Sequence, residues 1–375
     1  MAQIYKKDNG EWAYRIYYRD SRGKKHSIND SHFKKKSDAQ NAARSIEMKK
    51  SKIGISRERE LITFDNYFKE WFRVYKQNRY SKSTQQKYSA VRKFIHDYFG
   101  NTKLKSITKT DYQKMLDTYA KTHVKTTVAA LNGTIRASLR NALEEQIIPF
   151  DFTRDAIITS NKSSKDIKYF EVEEAYRIRD YCLKHASMFA ISKYEIALSL
   201  ATGMRYGEII GLTWKDIDFD KNTIDINKTY DYKYRTGFKP TKTHSSIRKL
   251  DIDPITAKML KNLKYEQKKL FLKQKFQNKD NLVFINSQHH VPGDGSANMT
   301  LKRLQTKLDI KPGNHLTFHA LRHTHASILI SRNVSLEYVS ARLGHSSTLM
   351  TSKVYVHLLK DKKEQDAQKT VKIFG

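Results

Sequence analysis

Tyr355 stands ten residues beyond His345 in the run Arg342-Leu343-Gly344-His345-Ser346-Ser347, and that run follows His319-Ala320-Leu321-Arg322-His323. A free phenol is a poor nucleophile at neutral pH, because its pKa lies at about 10. It becomes a useful one when a base takes its proton and cations neutralise the phosphate it attacks. His319 and Arg322 are spaced i, i+3, so on a helix both project from one face toward one phosphate. Arg322 can clamp the phosphate and His319 can donate or accept a proton. Such a set can cut DNA without water or metal. The phenol oxygen attacks a phosphodiester, and the bond is kept as a phosphotyrosine.

Two further cations lie upstream. Thr202-Gly203-Met204-Arg205-Tyr206-Gly207-Glu208-Ile209 brackets an arginine between glycines at a predicted helix start. A guanidinium there can hold two phosphate oxygens, and Glu208, one turn on, can fix its side chain. Taken alone, the stretch is a weak signal, because an Arg–Glu pair on a helix is usually a surface ion pair. Lys242 lies in Thr241-Lys242-Thr243-His244-Ser245-Ser246-Ile247-Arg248, whose composition predicts a hairpin between two strands. A lysine held near the scissile phosphate can protonate the leaving 5′ oxygen. A slip of that hairpin would bring Lys239 there instead. His319 and His323 also have the i, i+4 spacing of metal ligands, but Ala-Leu-Arg fills the interval where a zinc-protease helix carries a glutamate. No metal and no cofactor is expected. His325 and the pair His289-His290 read as satisfied or exposed histidines.

The segments that must position these groups fall into three blocks. In the first, Trp12, Tyr14, Ile16 and Tyr18 alternate with Arg15, Tyr17 and Arg19, the period of a strand with one basic face. Ser21-Arg22-Gly23 is a turn signal, Lys24 to Ile28 reads as the returning strand, and Ser37 as the cap of a short basic helix to about Lys50. A small sheet with a basic face can lie in a DNA groove, and Arg15, Tyr17 and Arg19 are its candidate contacts. Residues 51–60 read as a linker. In the second block, Phe64 to Tyr75 repeats at helical spacing, and a helix after Ser81 or Ser83 stops at Gly100. Thr110 is placed to cap a third helix, and Val128, Leu131, Ile135, Leu139 and Leu143 mark a fourth, ended by Pro149. Lys82, Lys87 and Arg92 lie off the apolar stripes and are candidate phosphate contacts. The third block carries the chemistry. It opens with helices near 171–184 and 188–201, continues with strands near 216–219, 223–227 and 248–252, and has a long helix entered through Asp253-Pro254. Four helical segments are expected from Thr317 to the end.

The predicted fold class is therefore multidomain α+β. A small β-sheet-plus-helix domain (1–55) precedes an all-α domain (61–152) and a mainly α domain with a small antiparallel sheet (165–375). Lys and Arg outnumber Asp and Glu by 71 to 39, a formal net charge of +32. That excess repels itself and calls for a polyanionic partner. Nucleic acid fits better than a membrane surface, because no apolar run approaches spanning length. One cysteine, Cys182, excludes an internal disulfide and a cysteine-based zinc site.

In order and spacing, Arg205, Lys242, His319-x-x-Arg322, His345 and Tyr355 resemble the tyrosine recombinase family, of which lambda-type phage integrases are the best-known branch. The resemblance implies a catalytic domain over 165–375, a core-site-binding domain over the helical block and an arm-type DNA-binding domain over 1–55. It implies that Arg205 and Arg322 hold nonbridging oxygens, Lys242 is the general acid, His319 acts in acid–base catalysis, and His345 hydrogen-bonds the phosphate. Tyr355 would form the 3′-phosphotyrosyl intermediate. The implied partners are double-stranded DNA at core and arm attachment sites and four protomers exchanging strands through a Holliday junction. An excisionase and a host DNA-bending protein are possible accessory partners. The implied setting is the cytoplasm of a host bacterium, on its nucleoid. Two other readings are a type IB topoisomerase, which shares the nucleophile and cationic pocket, and a non-catalytic DNA-binding regulator.

Overall fold

A computed structural model describes residues 2–19, 25–52, 61–162, 168–241, 243–310, 315–354 and 371. The chain divides into two compact units, 1–165 and 166–375.

The first unit holds two separate cores. Strands β1 (Gln3–Lys6), β2 (Trp12–Arg19) and β3 (Lys25–Phe33) form an antiparallel sheet in that order. The period-two reading of β2 holds: Tyr14 and Ile16 are buried and pack with Ala43 and Ile46 of helix α1 (Lys36–Lys52), while Tyr17 faces out. A bulge between Trp12 and Tyr14 buries Ala13 as well, a register shift that alternation alone does not disclose. Helix α1 starts at Lys36, so the expected cap Ser37 lies inside its first turn, and the helix takes in residues 51 and 52 of the expected linker.

Helices α2 (Phe64–Tyr75), α3 (Lys82–Phe99), α4 (Lys109–Ala120) and α5 (Lys125–Glu144) enclose the second core around Phe64, Phe68, Trp71, Ile95, Tyr112 and Ile135. Thr63 and Ser81 cap α2 and α3 with their side chains, and Gly100 ends α3 at φ +51. The cap of α4 is Thr108, in a capping box with Asp111, rather than Thr110. Helix α5 ends at Glu144, before Pro149 is reached.

In the second unit, α6 (Val172–His185) leads through a 3-10 turn (Met188–Ala190) into α7 (Ile191–Thr202). Helix α7 is buried on nearly every face, as an all-round apolar helix must be. After α8 (Tyr206–Ile210) come β4 (Ile217–Asp218), β5 (Thr223–Ile226), β6 (Thr229–Tyr230), β7 (Phe238–Lys239) and β8 (Arg248–Asp251). They make one three-stranded antiparallel sheet, β4-β5-β8, and one pair, β6-β7. The segment 240–247 is thus not the tip of a hairpin. It crosses from one sheet to the other, because β7 pairs with β6 and β8 with β5. Asp253 caps α9 (Pro254–Lys273) through the Ile255 and Thr256 N–H groups. Helices α10 (Asp294–Lys307), α11 (Phe318–Ser331), α12 (Leu336–Leu343) and α13 (Thr348–Val354) follow; α10 has no counterpart in the reading of the sequence.

Candidate active site

The site is built where α7 ends. Gly203 closes that helix in the left-handed region (φ +67), and its N–H bonds the Ser199 carbonyl. A Cβ at Gly203 would lie 2.7 Å from His325 Cδ2 and 2.8 Å from Leu343 Cδ2, so both the backbone angle and the space demand glycine. This reversal puts Arg205 at the N-cap of α8.

Glu208 fixes Arg205 as the spacing suggested. Its carboxylate is 1% exposed and accepts from Arg205 Nη1 at 2.8 Å and from the Arg205 backbone N–H at 2.9 Å. Burial works to raise the Glu208 pKa, but the Arg248 and Arg205 guanidinium groups outweigh it and hold the group below the usual carboxylate range. The Arg205 side chain stays 37% exposed, with Nη2 3.4 Å from the Gly344 carbonyl. It is anchored at one edge and open at the other.

Arg322 comes from α11 and is 4% exposed. Its Nη1 donates to the Gly203 carbonyl at 2.7 Å and its Nη2 to the Leu343 carbonyl at 2.6 Å. One guanidinium therefore ties the turn before Arg205 to the turn before His345. The second turn repeats the geometry of the first: Gly344 ends α12 at φ +67 and aims His345 back into the site. His345 Nδ1 lies 2.7 Å from Thr351 Oγ1 in α13. Desolvation, then Arg322, Arg205 and Arg248, push the His345 pKa down to about 4. His319, one turn before Arg322 at an exposed position, is also lowered, by desolvation in its surroundings and then by Arg322 and Arg205. Both imidazoles are neutral at neutral pH, so each can donate at one nitrogen and accept at the other.

Four of the six expected catalytic residues, Arg205, His319, Arg322 and His345, thus share one electrostatic neighbourhood. Lys242 and Tyr355 lie outside the described residues; Tyr355 follows Val354, the last residue of α13. Lys239 is paired with Asp231, and this pairing holds Asp231 at about 2 against the opposing effect of burial. Opposite Thr229 in the β6–β7 register, Lys239 closes its own strand pair. His319 and His323 pack edge to face with ring centroids 4.8 Å apart. His325 is satisfied at both nitrogens, by the Leu200 carbonyl at 2.8 Å and by Arg342 Nε at 3.1 Å. His289 stacks on Phe276 and meets Gln274 Oε1 at 2.8 Å.

Arg248 was not singled out from the sequence. Its guanidinium meets both Glu208 oxygens, at 3.3 and 3.0 Å, while Nε donates to the Arg342 carbonyl at 2.6 Å and Nη1 to the Ser246 carbonyl at 2.9 Å. An arginine opening a short strand carries no local signal of such a role; only the distant partners reveal it.

Among the expected DNA contacts, Tyr17 is 57% exposed and Lys82 and Lys87 lie open on α3. The Arg15 guanidinium lies 5.9 Å from the Tyr5 ring centroid. Arg19 ends β2, and its side chain is outside the described residues. Arg92 is committed elsewhere: it grips Asp65 with two bonds of 2.8 and 2.9 Å, joining α3 to α2. Among the described residues no group of three or more His, Cys, Asp or Glu is placed to hold a metal ion, and no helix is long and apolar enough to cross a membrane.

Three family profiles match this chain: the Phage integrase family over residues 165–362, the Phage integrase N-terminal SAM-like domain over 63–119, and the Arm DNA-binding domain over 3–50. The chain is 28% identical over 303 residues to the integrase of Staphylococcus phage L54a, covering 72% of this chain and 85% of that one. It is 27% identical over 315 residues to the tyrosine recombinase XerC of Pediococcus pentosaceus, covering 80% of this chain and 95% of that one. Its fold is similar to that of the Tn1549 transposon integrase in complex with transposon right end DNA. The TM-score is 0.65 at 17% identity, over 82% of this chain and all of that one.

Proposed function

Because the chain belongs to the phage integrase family and is a DNA-binding tyrosine site-specific recombinase, we propose that Arg205, Lys242, His319, Arg322, His345 and Tyr355 carry its strand transfer. Tyr355 Oη attacks the scissile phosphorus, the bond to the 5′ oxygen breaks, and a 3′-phosphotyrosyl ester remains. Arg205 and Arg322 neutralise the nonbridging oxygens, with His345 as a hydrogen-bond donor. His319 takes part in moving the phenol proton, and Lys242 delivers one to the departing 5′ oxygen. A 5′ hydroxyl from the exchanging strand then attacks the ester and releases Tyr355. One ester replaces another, so no external energy source is needed, and direction comes from which assembly is bound. The observation that carries this reading is the Arg322 clamp, which brings the Arg205 and His345 turns onto one guanidinium.

The reading extends to the rest of the chain. Residues 1–55 take arm-type sites, 61–152 take core sites, and 165–375 perform the chemistry. Four protomers act on two duplexes through a Holliday junction, with an excisionase and a host DNA-bending protein as accessory partners. The setting is a bacterial host's cytoplasm, on its nucleoid, and the element carrying the chain is a phage or an integrative element. Deleting residues 1–55 tests the division of labour. Core-site cleavage should persist while integrative recombination fails; unimpaired integration would remove the arm assignment.

A further inference from the structure

We infer that Arg248 is a positioning residue for strand transfer, a side chain that holds Arg205, the His345 turn and the 3-10 turn His244–Ser246 in register. The inference rests on the catalytic reading above. Every nitrogen of the Arg248 guanidinium is engaged by protein: Nε by the Arg342 carbonyl, Nη1 by the Ser246 carbonyl and Glu208 Oε1, Nη2 by Glu208 Oε2. Its side chain is 7% exposed, and with these partners it acts through the groups it holds.

The three partners lie in different parts of the proposed site. Glu208 is shared: the two carboxylate oxygens that grip Arg205 also accept from Arg248. The Arg342 carbonyl lies in the last turn of α12, three residues ahead of His345. The Ser246 carbonyl ends the 3-10 turn His244–Ser246, which follows Lys242 closely. The packing is close: a Cβ on Gly344 would come within 2.8 Å of Arg248 Nη1, so the glycine beside His345 has no side chain because Arg248 occupies that space.

Energetics favour positioning over mere packing. Two arginines on one buried carboxylate leave a net positive charge at its edge, and both oppose the burial that disfavours the ionised form of Glu208. Removing Arg248 leaves Glu208 with Arg205 alone and frees the Arg342 and Ser246 carbonyls. The side chains facing a phosphate then lose their fixed geometry, although none has been removed. Misplacement on the scale of an ångström costs about 100-fold in rate.

The test uses the full chain on nicked duplexes tiling the DNA on either side of its own coding sequence, with the rate of covalent adduct formation as the readout. Arg248→Lys and Arg248→Gln are expected to bind this DNA as wild type does and to form adduct about 100-fold more slowly. A Glu208→Gln background supplies a readout that general destabilisation would not give. There the Arg248 substitution should cost clearly less than in the wild-type background, because the route to Arg205 is already broken and only the bonds to the Arg342 and Ser246 carbonyls remain to be lost. Thermal unfolding of each variant is recorded alongside; if Arg248→Gln loses its transition, Arg248→Lys takes its place in the cycle. Adduct rates near wild type, or losses that multiply in the double variant, would overturn the role of Arg248. Absence of adduct from the wild-type chain would instead overturn the catalytic reading and this inference with it.

Discussion

Arg322 donates to the carbonyl of Gly203 at 2.7 Å, two residues ahead of Arg205, although 119 residues of chain separate them. With its second bond to Leu343, this contact makes the candidate site a property of one buried guanidinium rather than of a local motif. A lysine carries the same charge but cannot span two carbonyls with fixed geometry. Arg322→Lys is therefore expected to lower the rate of covalent adduct formation by about 10²–10³-fold while leaving DNA affinity little changed. Adduct assays on nicked DNA with parallel binding titrations check this.

Gly203→Ala tests the turn itself. The residue sits at φ +67, and the added methyl would press on His325 and Leu343. A cost of about 1–3 kcal/mol in stability is expected from the backbone angle alone. Thermal or denaturant unfolding measures it, and adduct formation should fall with it because the Arg322 anchor moves.

Stability should have its own pH profile. His323 and His345 are lowered to about 4 and His325 to about 3, in each case first by desolvation, from an ordinary 6.5. The unfolded chain binds those protons more readily, so the stability present above pH 6.5 is lost as pH falls toward 4. Glu195 acts in the opposite sense. It is fully buried, its Oε1 has no partner, and burial raises its pKa from 4.5 to about 8. Its contribution is complete below 4.5 and is lost as pH rises through about 8. Three histidines outweigh one carboxyl below 6.5 and fall silent above it, so unfolding temperatures should peak near pH 6.5. Glu195→Gln should flatten the alkaline side alone.

Lys87 and Arg92 separate DNA contact from scaffold. Lys87 is free on the surface of α3, and Lys87→Ala is expected to weaken DNA binding without changing stability, lowering the salt slope by about 1. Arg92 is spent on Asp65, so Arg92→Ala should lower stability by about 0.5–1 kcal/mol, a modest value because the pair is partly solvated. Salt-dependent binding isotherms and unfolding curves on the same variants distinguish the two.

Arg205, His319, Arg322 and His345, which the fold brings into one neighbourhood, could be picked out because each sits in a short motif whose residue types have few other uses in that order. The strand alternation of Trp12 to Tyr18 and the apolar stripes of α2 and α5 were legible because burial imposes a period. What escaped lacked a local signature. Helix α10 starts inside Pro292-Gly293-Asp294-Gly295, a run that reads as a loop, and Gly293 at its N-cap offers no side-chain cap. The segment 240–247 read as a hairpin because turn composition is visible while strand pairing is not; β8 chooses β5 over β7 through partners more than 20 residues away. Arg248 escaped for the same reason.

The most direct measurement of the central claim is to identify the residue that DNA is attached to. Full-length chain is incubated with nicked duplexes from the DNA flanking its own coding sequence, denatured, digested and mapped by mass spectrometry. The account expects a 3′-phosphate ester on Tyr355 and no adduct from Tyr355→Phe. Attachment at another residue, or an adduct that survives in Tyr355→Phe, would contradict it.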